Sequence, residues 1–382
     1  MKPEYAAKVR RTSLRGQERD RVVTMPGLAE AMARQARACA QLGSPLYAAI
    51  LIRVAEDIQA GGPCAEVLSG YEDSSLDDLI ALRLLGGVHA LVLAGRAPGL
   101  AAYYPSVGGR FDPEQPDACW PTFRATVAAQ AAWIRDWLTR PPQTNEVGRA
   151  NLLIAGLLRA LSENPLPVRL LELGASAGLN LRADYFRYSG GAFTWGPVDS
   201  PVVLADAWAG EAPDWLVTAA AQHPTVTVVD RYGCDLTPID PLSYAGSLAL
   251  RAYIWPDQTA RMARLQGALR IAARVPVRLL PVGAADFLAR VDVEPGTLTV
   301  VWHSVMRQYV PEAQWRRVEA ELDRLAAAST SDAGFAHICF EPDQAGQYQL
   351  ALRLGSAPHQ VLAQAPAHGL PAMECLSSAC RD

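Results

Sequence analysis

From about residue 28 to residue 163, apolar side chains recur at three- and four-residue spacing, with glycine, proline and polar clusters falling between the runs rather than inside them. That period belongs to helices. Ser44-Pro45 fits a cap followed by proline in the first turn of PLYAAILIRVAEDIQA. Ser75 fits the cap of LDDLIALRLLGGVHALVLAG, in which Asp77 and Asp78 meet the positive end of the helix dipole. Two more helices are predicted over 120–138 and 146–161, and no strand is predicted in this half.

Beyond Pro167 the texture changes to short β-rich runs separated by helical patterns, the signature of an α/β unit with a mostly parallel sheet. Strands are predicted at 168–173, 225–236, 277–282, 298–305 and 335–342, and helices at 179–188, 259–273, 284–290 and 311–328. The runs YQLALRLG and HQVLAQAP lie close enough together to form a hairpin at the sheet edge. A dinucleotide-binding sheet is usually parallel throughout, whereas a class I methyltransferase sheet ends in an antiparallel hairpin. The predicted fold is therefore α/β, Rossmann-like with a terminal hairpin, behind an all-helical N-terminal region. The expected limits are a basic arm at 1–27, a helical cap at 28–165 and an α/β domain at 166–382, with an insertion at about 189–224.

Charge removes one class of partner. Against 39 acidic side chains stand 35 basic ones, for a net charge of -4, which supplies no broad positive field for nucleic acid. The arginine-rich first residues carry no apolar segment of a secretory signal, and no run of about 18 apolar residues offers a membrane span. A soluble, cytoplasmic protein is expected. The seven cysteines are scattered without a C-x-x-C pair and read as reduced thiols; the six histidines show no metal-ligand spacing, so no metal site is expected.

LELGASAGLNL (171–181) runs from a strand into a glycine turn. Gly174 and Gly178 permit the turn, but Ser176 stands where the dinucleotide fingerprint G-x-G-x-x-G has its middle glycine. Glu172, two residues before the first glycine, suits a ligand with positive charge such as S-adenosylmethionine and repels a pyrophosphate. Asn180 opens the predicted helix after the turn, and with Ser176 it joins Glu172, Gly174 and Gly178 as a candidate cofactor-binding residue. Asp235 stands at the end of the next strand, where a carboxylate can accept from a ribose diol, and Asp286 follows the third strand, where adenine is often contacted. For both acids a turn or helix cap is the competing role.

Methyl transfer from a sulfonium is a direct displacement, so alignment supplies much of the rate and few groups are obligatory. The end of the fourth strand, WHSVMRQY, offers His303 as base, Ser304 as positioning hydroxyl, and Arg307 and Tyr309 as substrate contacts. Asn145 fits a helix cap, while Glu146 and Arg149, one turn apart, can close over the site. Asp257 and Gln258, which follow a proline and have a helix cap as the competing role, are candidate substrate or lid residues, as is Glu341, which with Asp343 ends the fifth strand; His368 is a second candidate base. The aromatics of the helical half sit at core spacings. Of these Tyr103 and Tyr104, beside a proline, are best placed to reach a substrate.

LELGASAGLNL together with PPQTNEVGR (141–149), RYGCDLTPID (231–240), IWPDQTARMARL (254–265), WHSVMRQY (302–309) and AHGLP (367–371) resembles a bacterial family known as domain of unknown function 2332, from about Leu28 onward. The resemblance implies a class I methyltransferase-like core with a helical extension, and no particular reaction. By similarity to that wider superfamily, Glu172, Gly174 and Gly178 match the first motif, Asp235 the ribose-binding acid and Asp286 the adenine contact. One departure is the interval of 57 positions from Gly178 to Asp235, where about 20 is usual. The expected function is S-adenosylmethionine-dependent methylation of a small molecule. The alternatives are elimination or cyclisation of a polar metabolite on the same fold, and a non-catalytic binding subunit; a partner subunit or homodimer stays open.

Overall fold

A computed structural model of the chain describes residues 26–72, 79–142 and 144–375. The expected basic arm, apart from its last two residues, and the cap at Ser75 with Asp77 and Asp78 lie outside the described residues.

The helical region comprises α1 (Pro26–Gln41), α2 (Pro45–Gln59), α3 (Pro63–Val67), α4 (Ile80–Leu93), α5 (Pro98–Ala101), α6 (Trp120–Ala129) and α7 (Ala131–Leu138). Its core is built from the predicted apolar stripes, among them Met32, Leu51, Val54, Leu84, Val88, Phe123 and Ile134. The helix expected over 120–138 is instead two, α6 and α7, which meet at Gln130. Ser44 does not cap α2 through its side chain; its hydroxyl bonds Asp257, far along the chain. Tyr104 is fully buried and so does not take the substrate-facing place expected of it, while Tyr103 is partly buried against this core.

The next helix, α8 (Ala150–Glu163), belongs to the second core rather than to the first. Its residues Leu152, Leu153, Leu157 and Leu158 pack with Leu170, Val300, Ile338 and Leu350 of the sheet. Gly156 makes the close approach possible, since a Cβ there would meet Ile338 Cγ2 at 2.7 Å.

Sequence order then runs β1 (Val168–Leu173), β2 (Arg187–Gly190), β3 (Phe193–Trp195), β4 (Val203–Leu204), α9 (Asp214–Gln222), β5 (Val228–Asp235), α10 (Tyr244–Ala252), α11 (Thr259–Ala272), β6 (Arg278–Pro281), α12 (Ala284–Leu288), β7 (Thr297–Ser304), α13 (Glu312–Ala327), β8 (Ala333–Pro342), β9 (Tyr348–Leu354), β10 (Gln360–Gln364) and β11 (Met373–Glu374). The main sheet has the order β11-β10-β9-β8-β7-β1-β5-β6. Strands β6, β5, β1, β7 and β8 are parallel, and β9, β10 and β11 extend the sheet as antiparallel neighbours. The expected terminal hairpin is β9–β10. Every residue of β1 is buried, as a central strand covered on both faces requires.

The helix expected at 179–188 is absent. Asn180–Tyr185 forms 3-10 turns broken at Arg182, and the chain then enters β2. Arg182 donates to the carbonyls of Gly178 and Val275 at 2.8 and 2.7 Å, and Arg231 holds the Asp184 carboxylate at 2.7 and 2.6 Å. These anchors replace the hydrogen-bond ladder of a helix. The insertion folds as a small sheet, order β3-β2-β4, followed by α9.

Cys39, Cys64, Cys119, Cys234 and Cys339 are free thiols, as expected; Cys375 is disulfide-bonded and corrects that expectation for itself. No helix among the described residues is long and apolar enough to cross a membrane.

Candidate functional site

The strand order reverses at β1, with β5 and β6 on one side and β7 and β8 on the other. Loops leaving the carboxyl ends of β1 and β7 therefore diverge and open a crevice, the usual ligand position in open α/β sheets. The glycine turn lies there. Gly174, Ser176 and Gly178 have φ of 64°, 52° and 65°, and an added Cβ on Gly174 would stand 3.2 Å from Met306 Cβ of the β7 loop. On that same loop Val305 has φ of 51°, an unusual conformation for a β-branched residue and a mark of local strain.

Much of the hydrogen-bonding capacity of the turn is used internally. The amides of Ala175 and Gly178 donate to Cys234 and Ala175 carbonyls at 2.9 and 2.7 Å, that of Ser176 to Asp235 Oδ2 at 2.9 Å, and that of Leu179 to Asn145 Oδ1 at 2.8 Å. Asn145 is therefore a brace on the turn rather than a helix cap. Asp235 also accepts from the Thr237 amide at 2.9 Å. A carboxylate has about four acceptor sites, so each oxygen keeps one for a further donor, and Leu236 beside it is 79% exposed.

Glu172 is 3% exposed, and its Oε2 has no hydrogen-bond partner. Burial pushes its carboxyl up to about 8, against the pull of the Trp302 indole, Arg182 and Arg149. Burial thus favours the protonated form and weakens the negative charge expected to favour a sulfonium there. Asn180 donates to the Glu146 carbonyl at 3.2 Å. Asp286 is exposed on α12 and pairs with Arg317 of α13 at 2.6 Å.

A cavity of about 200 Å³ lies between the helical region and the sheet region, separated from this turn by the segment 144–149, whose Asn145 and Glu146 bond Leu179 and Asn180. Its lining includes Tyr47, Tyr253, Trp255 and Tyr309 as aromatic walls, and Glu146, Arg149, Arg261 and His368 as polar groups. Glu146 is buried; its Oε2 meets Arg261 at 2.5 Å and His368 Nδ1 at 3.4 Å, and its Oε1 accepts from the Gly148 amide at 3.0 Å. Burial pushes this carboxyl up, but Arg261 and His368 outweigh it and hold it well below the usual range. Arg149 donates to the carbonyls of Ala367 at 2.9 Å and Ser304 at 3.3 Å, joining the cavity wall to the end of β7.

The other predicted residues serve elsewhere. Asp257, whose carboxyl burial raises, accepts from Ser44, and Gln258 bridges the Leu42 carbonyl at 3.3 Å and the Arg261 guanidinium. Arg307 is committed to Glu312 and stacks over Trp315 at 4.9 Å. Asp343 organises the β8–β9 turn by accepting from the Ala345 and Gln347 amides at 2.9 and 2.8 Å. His303 is 2% exposed, with Nδ1 2.7 Å from Glu341 Oε1 and its ring edge-on to Trp315 at 5.3 Å. It is not a cavity residue. His368 is.

Sequence reasoning missed Arg261, Tyr47, Tyr253 and Trp255. Arg261 stood in the quoted IWPDQTARMARL, three residues after Gln258 and so on the same helical face, which was the available signal. The aromatics look like core residues in the sequence, and only the meeting of α2, α4 and the segment after α10 makes them a wall.

No curated protein and no solved structure matches the chain. The family described as "Uncharacterized protein conserved in bacteria (DUF2332)" matches residues 29–373, nearly the whole of the region whose motifs form the turn and the cavity, and the chain belongs to that family.

Proposed function

We propose that the chain is an S-adenosylmethionine-dependent transferase that methylates a small polar molecule. The observation that carries this reading is the coincidence of the reversal in strand order with the left-handed glycine turn, which the segment 144–149 joins to a small cavity with polar and aromatic walls. Asp235, with an acceptor site left on each oxygen, and the exposed Leu236 fit the ribose and base of a nucleoside. When bound, the donor supplies an electrophilic methyl group. Arg149 and Arg261 orient an acceptor through its anionic groups, the aromatic walls exclude water, and His368 takes the acceptor's proton.

Calorimetry with S-adenosylmethionine, S-adenosylhomocysteine and NAD tests this. Binding of the first two, weakened at least tenfold by Asp235→Asn, is expected; no heat with either overturns the reading.

Three observations favour a second reading. The amides of Ser176 and Leu179 are paired, burial favours the protonated form of Glu172, and the 144–149 segment runs between turn and cavity. On this account the turn is structural, and the cavity alone handles an anionic metabolite by elimination or cyclisation. Here anion binding is lost in Arg149→Met while neither adenosyl ligand produces heat.

A further inference from the structure

Strands β7 and β8 pair in parallel with Val301 opposite His337 and His303 opposite Cys339. Side chains two apart on a strand share a face, so His303, His337 and Cys339 all project to one side of the sheet, the side covered by α13. One potential ligand atom from each lies within 4.8 Å of the other two.

Both imidazoles are buried, and both have Nε2 without a hydrogen-bond partner. Their other nitrogens are engaged: His303 Nδ1 with Glu341 at 2.7 Å, and His337 Nδ1 with His359 Nε2 at 3.0 Å. If each Nδ1 carries the proton, each Nε2 presents a lone pair. Two such orphans side by side in a core are costly, at about 1–3 kcal/mol each, and packing alone gives no reason for their pairing. A carboxylate behind a histidine and an imidazole behind the second are the outer supports that metal-ligating histidines commonly have.

We propose that His303 Nε2, His337 Nε2 and Cys339 Sγ bind a single zinc-class ion across β7 and β8. The donor set chooses the class: a thiolate with two imidazoles suits Zn²⁺, whereas an oxygen-rich site would suit Mg²⁺ or Ca²⁺. Charge balances as well. Binding releases the Cys339 thiol proton to solvent, and the thiolate with the Glu341 carboxylate neutralises the two charges of the ion. Three protein ligands leave a coordination position for solvent. The proposal does not depend on the methyl-transfer reading, because the cluster faces α13 while the cavity is lined by other residues.

The test uses the full chain, freed of metal with a chelator and dialysed against Zn²⁺ or Co²⁺. One zinc per chain is expected by elemental analysis, with a rise in Tm, and the cobalt form should show the intense near-ultraviolet band of thiolate-to-cobalt charge transfer. Cys339→Ser should abolish that band, and His337→Gln should reduce zinc affinity by at least a hundredfold. The wild-type spectrum stands even if a variant does not fold. Absence of zinc uptake or of the thiolate band in the wild-type chain overturns the proposal, as does a band that survives in folded Cys339→Ser.

Discussion

The carboxylate of Glu341, at the end of β8, lies 2.7 Å from Nδ1 of His303 on β7 and accepts the amide of Met306 at 3.0 Å. One side chain thus couples two parallel strands to the loop that carries the strained Val305. Glu341→Ala strands a buried ring nitrogen and a loop amide, so it should cost about 2–4 kcal/mol in urea unfolding. Glu341→Gln keeps an acceptor and should cost less than half as much; equal losses would mean that volume, not hydrogen bonding, is what matters.

The Glu146–Arg261 pair is buried, with the two partners 2.5 Å apart. Removing only the cation leaves a charge enclosed without its partner, so Arg261→Met should destabilise by about 3–5 kcal/mol. The double variant Glu146→Gln/Arg261→Met should recover most of that loss. Additive losses in this cycle would refute the coupling. Because Glu146 titrates below its unfolded range, its contribution is present above about pH 4.5 and fades as the pH falls through the folded value.

Glu172 has the opposite sign. Its folded value of about 8 lies above the ordinary 4.5, so the native state binds the extra proton between those limits and stability falls as the pH rises through them. Glu172→Gln removes this dependence. Relative to wild type, the variant should gain stability from pH 5 to pH 8, at up to about 1.4 kcal/mol per pH unit, and show no further gain above pH 9. A pH-independent difference in Tm would place the carboxyl in an ordinary environment.

Gly174 and Gly283 make a paired test of the turn. Gly174 has φ of +64° and Met306 Cβ 3.2 Å from where a methyl would go; Gly283 has φ of -68° and open space. Gly174→Ala should cost about 1–2 kcal/mol, while Gly283→Ala, at the N-cap of α12, should cost less, because the loss of a preferred capping residue is offset by the reduced freedom of the unfolded chain. Chemical denaturation of both variants reads the difference directly.

Local chemistry made much of this fold legible. Period-two and period-3.6 hydrophobic patterns depend on neighbours along the chain, and they located β1, α11, α13 and the closing hairpin within a few residues. They failed at 179–188, where the pattern was helical but Arg182 and Arg231 anchor the backbone to distant carbonyls and to Asp184. No local rule registers such partners.

The same division holds for the site. From the sequence alone came the glycine turn and the acids and bases around it, because turn conformation and side-chain chemistry are properties of single residues and short spacings. The tertiary structure alone decided their surroundings: burial pushed the Glu172 carboxyl up, Arg317 paired with Asp286, and Trp315 enclosed His303 while His368 faced the cavity. It also brought His303 beside His337 and Cys339, more than thirty residues further on. Strand register and desolvation depend on which segments meet, and they set both which groups touch and what charge each one carries.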